Sequence, residues 1–148
     1  MRLKLWIQDR LHLIICEIGP TFYFTGDTTK LLTINKMGFT KTILTEGDGP
    51  KPSRGQTVTV HCTGFGKNGN LSDVFWSTKD AGQEPFTFQI GMDSVIKGWD
   101  EGVLGMNLGE IAKIHCSPDY AYGANGFPAW GIMPNSELIF EIQVLSIR

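Results

Sequence analysis

The stretch Val95-Ile96-Lys97-Gly98-Trp99-Asp100-Glu101-Gly102-Val103-Leu104 constrains this chain more than any other. Val95, Ile96, Trp99 and Val103 share one face at helical spacing, so a short helix is predicted here. Asp93 or Ser94 is placed to cap its start, and Gly102 to end it in a left-handed conformation. Gly98 inside so short a helix costs about 1 kcal/mol against alanine. Such a residue is tolerated most easily where another backbone or a ligand comes very close. The chain on either side reads as strand. A helix of about two turns cannot bury itself, so it is expected to plug the concave side of a curved sheet. Trp99, at its centre, is then the floor of any pocket on that side.

The strands are legible from alternation. Residues 41–46 read as a short edge strand. Residues 56–65 alternate, with Val58, Val60 and Cys62 on one face and Thr57, Thr59, His61 and Thr63 on the other. Residues 73–77, 86–90, 108–117 and 137–147 supply the remaining strands. Between the last two lies an irregular stretch, 118–136, carrying Tyr120, Tyr122, Phe127, Trp130, Ile132 and Met133. A long loop with so much apolar surface binds something or seals a core.

Residues 1–36 do not match this pattern. Leu3, Ile7, Leu11, Ile14 and Ile18 recur at helical spacing up to Gly19-Pro20. The segment is read as an extension of unknown role ahead of a single domain at 37–148. Asp9 and Arg10 interrupt the apolar run a signal peptide needs, and Asp9 and Glu17 are wrong for a mitochondrial presequence. Met37-Gly38 fits a myristoylation pattern if translation starts there, with bulky Phe39 counting against it.

A formal charge of −2 gives no electrostatic case for nucleic acid or an anionic membrane. No apolar run is long enough to span a bilayer. Three widely spaced cysteines argue against a secreted disulfide framework, so a reducing, cytoplasmic setting is expected. Gly64-Phe65-Gly66-Lys67-Asn68-Gly69 satisfies G-x-G-x-x-G, but no amphipathic helix follows to face a pyrophosphate. It is read as a hairpin turn.

His61-Cys62 and His115-Cys116 suggest a metal pair. Adjacent strand residues point to opposite faces, so no metal is expected there. Cys62 and Cys116 are instead a candidate redox pair, expected on one face of neighbouring strands, provided their α-carbons lie within about 7 Å. Asp100 and Glu101 are expected to face solvent or cap the helix. No nucleophile motif occurs.

What remains is aromatic: Phe75, Trp76, Phe86, Phe88, Trp99, Tyr122, Phe127 and Phe140. Phe88 is expected in the core. The others suit the wall of a concave apolar pocket, with the Tyr122 hydroxyl as a polar handle.

Three motifs carry a family resemblance. Val60-His61-Cys62-Thr63-Gly64, Val95-Ile96-Lys97-Gly98-Trp99-Asp100-Glu101-Gly102 and Ser117-Pro118-Asp119-Tyr120-Ala121-Tyr122-Gly123 resemble the FKBP family of peptidyl-prolyl isomerases. The resemblance runs from about Gly38 to Arg148. Phe127-Pro128-Ala129-Trp130-Gly131-Ile132 is similar to the small single-domain plant members. It implies an α+β fold, an antiparallel five- to six-stranded half-barrel wrapped around one short helix, acting as a monomer without cofactor. It also implies binding of proline-containing peptides and of the macrolides tacrolimus and rapamycin, with a phosphatase or kinase meeting the drug-bound surface.

Carried over by position, Phe75, Trp99, Tyr122 and Phe140 would be catalytic. The pocket would add Phe86, Val95, Ile96 (through its backbone N–H), Phe127 and Ile132. Two positions depart from the family. Cys62 stands where tyrosine is common, and Trp76 where an aspartate usually follows the phenylalanine at 75. Both are assigned to the binding wall. A non-catalytic adaptor binding peptides or macrolides through the aromatic loop is the competing expectation.

Overall fold

The structure is a computed structural model that describes residues 38–148, so the expected extension at 1–36 lies outside the described residues. Six strands and one α-helix follow in the order β1 (Phe39–Thr45), β2 (Thr57–Phe65), β3 (Val74–Ser77), β4 (Phe86–Gln89), α1 (Lys97–Leu104), β5 (Ile111–Cys116) and β6 (Leu138–Ile147). The strands form one antiparallel sheet in the order β1-β5-β6-β2-β3, with β4 also paired to β2. This is the expected sheet wrapped on one short helix. Along β2 every second residue is buried, with Val58, Val60 and Cys62 on the core side.

The helix sits on β5 because its two glycines let it. A Cβ on Gly98 would run into the Cys116 sulfur, and one on Gly102 would come 2.6 Å from Ile114 Cδ1. Four residues of helix rise about 6 Å and two residues of strand about 6.7 Å. Gly98 and Gly102 therefore match Cys116 and Ile114 along one line. The close approach expected at Gly98 is real. Gly102 is a second instance of it, not the helix end: α1 stops at Gly105, which is right-handed (φ −86°, ψ 0°).

The expected caps are also absent. Ile96 occupies the N-cap position in extended conformation, and its carbonyl accepts from the N–H groups of Trp99 (2.9 Å) and Asp100 (3.1 Å). Ser94 Oγ instead donates to the Gln89 carbonyl at 2.8 Å.

Gly98→Ala gains about 1 kcal/mol of helix propensity. The added methyl, however, meets Cys116 Sγ and stands 3.1 Å from the Tyr120 carbonyl oxygen. The expected net result is a destabilisation of about 2 kcal/mol in urea unfolding. Adding Cys116→Ala recovers part of it. A more stable Gly98→Ala protein would contradict the contact.

Two buried carboxylates hold the ends of α1. Asp100, expected to face solvent or cap, is 6% exposed, because its oxygens accept from the backbone N–H groups of Gly91 (3.0 Å) and Asp93 (2.8 Å). Glu101 is exposed. At the other end, buried Glu110 takes the Lys41 ammonium at 2.7 Å and the Asn107 N–H at 2.9 Å. Lys41 also donates to the Gly105 carbonyl at 2.8 Å, which ties the edge strand β1 to the helix terminus.

The outer edge of β2 is shared. β4 pairs with its first half and β3 with its second. Between them Thr78 satisfies Cys62: its N–H donates to the Cys62 carbonyl (2.9 Å) and its Oγ1 accepts from the Cys62 N–H (2.9 Å). In β3 the register slips, with Gly64 opposite Trp76 and Phe65 opposite Val74. Phe75 is thus the extra residue of a bulge. Its ring lies where a side chain at 64 would be.

Candidate active site

Trp99 leaves the helix into the concave side and is 4% exposed. Phe86 and Phe140 meet it edge to face at 5.7 and 5.4 Å between centroids, and Phe88 tilts against it at 5.6 Å. Its Nε1–H is buried with no oxygen or nitrogen partner among the described residues.

From that floor the rings continue upward. Phe140 meets Phe75 at 5.8 Å, Phe75 stacks on Trp130 at 6.0 Å, and Trp130 stacks on Trp76 at 5.7 Å. Trp76 meets Phe86 at 6.0 Å, which returns to Trp99. These six side chains form a closed circuit, with the floor indole opposite Trp130. Phe127 joins it edge-on to Trp130 at 5.0 Å, and Tyr122 stacks on Phe127 at 5.4 Å.

Sequence reasoning did not assign Trp130 to the pocket, although it singled out the loop that carries it. Its partner Phe75 reaches it only because the bulge turns two consecutive side chains of β3 to one side, and no alternation pattern shows that. Phe88 belongs to the core, as expected, at 6% exposure. Ile132 is buried too, and its backbone is spent on Phe127. The Phe127 N–H donates to its carbonyl (2.9 Å) and its N–H to that of Phe127 (3.1 Å). Val95 and Ile96 are half-buried beside the core. Among the described residues no acceptor takes the Ile96 N–H, which leaves a donor available at the helix start.

Tyr122 is half-buried, and burial, with the Cys62 thiol adding to it, holds its hydroxyl above the usual phenol range. It therefore donates hydrogen bonds across the physiological range. Cys62 and Cys116 are both free and fully buried. They share a face, but the topology corrects the expectation of neighbouring strands. β6 runs between them, with Cys62 opposite Ile142 and Cys116 opposite Leu138. Two inter-strand spacings alone are about 9.5 Å, beyond the reach of a disulfide. His61 lies on the opposite face from Cys62 and bonds Thr78 Oγ1 at 2.9 Å, while exposed His115 pairs with Glu137 at 2.8 Å. The Gly64–Gly69 motif ends β2 at Phe65 and opens the turn toward β3, with Asn68 left-handed at φ 54°.

Burial raises both thiols from 9.0, Cys116 to about 12 and Cys62 further. In the unfolded chain they ionise near their ordinary value, so unfolding releases protons once the pH passes about 9. Stability should be level below that point and fall by roughly 1.4 kcal/mol per pH unit for each thiol above it. Urea unfolding of wild type and Cys62→Val/Cys116→Val at pH 8 and 10 checks this. An equal loss in both proteins would contradict it.

The sequence pattern of FKBP-type peptidyl-prolyl cis-trans isomerases matches residues 49–145, which span β2 to β6 and every member of the ring circuit. The chain belongs to that family. It is 74% identical over 109 residues to the peptidyl-prolyl cis-trans isomerase FKBP12 of Vicia faba, covering 74% of this chain and 97% of the relative. Identity to FKBP12 of Arabidopsis thaliana is 69% over 112 residues, covering 76% of this chain and all of the relative. Identity to FKBP1A of Xenopus laevis is 46% over 113 residues, again covering 76% of this chain and the whole relative. The plant-like character expected from residues 127–132 agrees with the higher plant identities, and the isomerase class follows from family membership.

Proposed function

We propose that this isomerase rotates Xaa-Pro bonds in the aromatic cup over Trp99. The observation that carries the reading is the floor itself: an indole 4% exposed, ringed by Phe86, Phe88 and Phe140 within 5.7 Å. The proline ring seats on Trp99 between Phe86, Val95 and Phe140, and Phe75 closes the far wall. The Tyr122 hydroxyl and the Ile96 N–H hold the flanking peptide carbonyls. Rotation must cross about 18–20 kcal/mol of amide resonance. The twisted bond has lost resonance and much of its charge separation, so water favours it less than it favours the planar ground state. A dry apolar cup removes that preference and lowers the climb. No covalent step is required of any side chain.

The same cup is proposed to take tacrolimus and rapamycin, with Phe86 and Phe127, each 37% exposed, offering apolar rim to a large ring. A phosphatase or kinase would meet the drug-loaded rim, with the protein acting as a monomer. Buried thiols that the fold keeps apart suit a reducing, cytoplasmic setting.

The test is proline rotation in a short peptide, with tacrolimus as competitor. Tyr122→Phe removes one hydrogen bond to the substrate and should lower kcat/KM about fivefold. An unchanged rate would remove Tyr122 from the site. Trp76, standing where the family usually has an acid, favours a second reading as a binding module. Peptide affinity without rate enhancement would select it.

A further inference from the structure

The loop over 118–136 carries an Asn-Gly pair, Asn125-Gly126, between the two rings that stack beside the cup, Tyr122 and Phe127. Glycine after asparagine leaves the backbone nitrogen open to the side-chain amide, because no Cβ shields it. Asn125 is exposed and ends a single 3₁₀ turn, Gly123–Asn125. Asn70 and Asn107 spend their side-chain amides on the Ser72 N–H (3.0 Å) and the Gly47 carbonyl (3.2 Å). Among the described residues no hydrogen bond holds the amide of Asn125.

A second Asn-Gly pair, Asn68-Gly69, provides the comparison within the same molecule. The Asn68 N–H donates to the Gly131 carbonyl at 2.8 Å, and its side-chain oxygen lies against Gly131. Asn68 is tied through backbone and side chain alike, whereas the Asn125 side chain can turn back on its own chain.

We infer that Asn125 is a deamidation site, modified ahead of Asn68, and that its conversion to isoaspartate lowers turnover in the cup. The Gly126 nitrogen gives its proton to hydroxide and attacks Cγ of Asn125. The Cγ–Nδ2 bond breaks, and the amide nitrogen leaves as ammonia with a proton taken from water. Water then opens the resulting succinimide at either carbonyl, giving aspartate or isoaspartate, with no change in oxidation state. While the ring is closed the Gly126 nitrogen carries no hydrogen, so its bond to the Tyr122 carbonyl (3.2 Å) is lost. In isoaspartate the main chain runs through Cβ and is longer by one bond, about 1.5 Å.

The loop has little slack to absorb that bond. The Asn135 N–H donates to the Gly123 carbonyl at 2.8 Å, and Phe127 is bridged to Ile132. A Cβ on Gly126 would stand 2.5 Å from the Ile132 carbonyl oxygen. The added atom is therefore taken up between Gly123 and Phe127, which shifts Tyr122 against the ring it stacks on. The effect on rotation rests on the isomerase reading, in which the Tyr122 hydroxyl holds the peptide. The modification itself does not.

The experiment incubates the full chain at pH 6 and pH 9 and then digests it. Isoaspartate is located by mass spectrometry and by methyl transfer from S-adenosylmethionine with an isoaspartyl methyltransferase. Residue 125 should gain one mass unit and take the label, faster at pH 9 and well ahead of residue 68. In the converted fraction kcat/KM on a prolyl peptide should fall about fivefold, as for Tyr122→Phe. Asn125→Gln cannot close the succinimide ring, so it should take no label at 125 and keep its activity. Fresh Asn125→Asp carries the new charge without the extra bond and should start at the wild-type rate. No label at 125, label at 68 first, or labelled protein with full activity would overturn the inference. Fresh wild type that fails to rotate the peptide would instead contradict the isomerase reading, while the label at 125 would still report the modification.

Discussion

Trp99→Leu should lower kcat/KM on a short prolyl peptide by about thirtyfold, chiefly through kcat. Leucine removes the flat floor that Phe86 and Phe140 meet edge to face at 5.7 and 5.4 Å. About 2 kcal/mol of lost apolar contact with the twisted bond corresponds to that factor. The substitution also opens a cavity in a core that includes Val60, Phe88 and Phe140, and this costs about 3 kcal/mol of stability. Rates must therefore be read well below the variant's melting temperature, with folding checked by circular dichroism. If a folded Trp99→Leu protein keeps the wild-type rate, the indole is not where the proline sits.

The largest stability effect is expected at Asp100. Its carboxylate is buried and accepts from the N–H groups of Gly91 and Asp93, which lie in the turn that delivers Val95 and Ile96 to the pocket. Asp100→Ala leaves both donors without a partner, at about 4 kcal/mol in total. For a domain of this size that lowers Tm by about 15 °C or more. Asp100→Asn keeps one acceptor oxygen and should lose roughly half as much. Because Asp93 is held at φ 54°, the turn has little reason to keep its shape once the carboxylate is gone. KM should rise with the loss of stability. Calorimetry on the two variants decides it, and a shift of a few degrees in Asp100→Ala would contradict the anchoring role.

The extent to which this could be read in the sequence follows from the range of the interactions. Alternation along 56–65 and the helical spacing of Val95, Ile96, Trp99 and Val103 are local, and each strand and the helix overlap the residues expected, although the helix opens at Lys97 and leaves Val95 and Ile96 ahead of it. The close approach at Gly98 was legible because glycine inside a short helix needs a reason. Other features depend on partners far away in the chain. Asp100 looks like any helix-surface acid until the turn at Gly91 folds over it. Glu110 meets Lys41 across 69 positions.

The shared face of Cys62 and Cys116 was readable from period two, but the strand between them was not, since alternation carries no strand order. Trp130 was hidden for a related reason. Its partners Phe75 and Trp76 are consecutive residues, which alternation would send to opposite faces, and only the bulge in β3 turns both toward the loop.

The most direct measurement of the central claim is NMR exchange spectroscopy of a prolyl peptide at catalytic concentrations of the protein. Cis and trans forms should exchange on the sub-second scale, against tens of seconds unaided. Intermolecular contacts should run from the proline ring protons to the Trp99 indole. Catalysed exchange with those contacts at another aromatic and none at Trp99 would contradict the account.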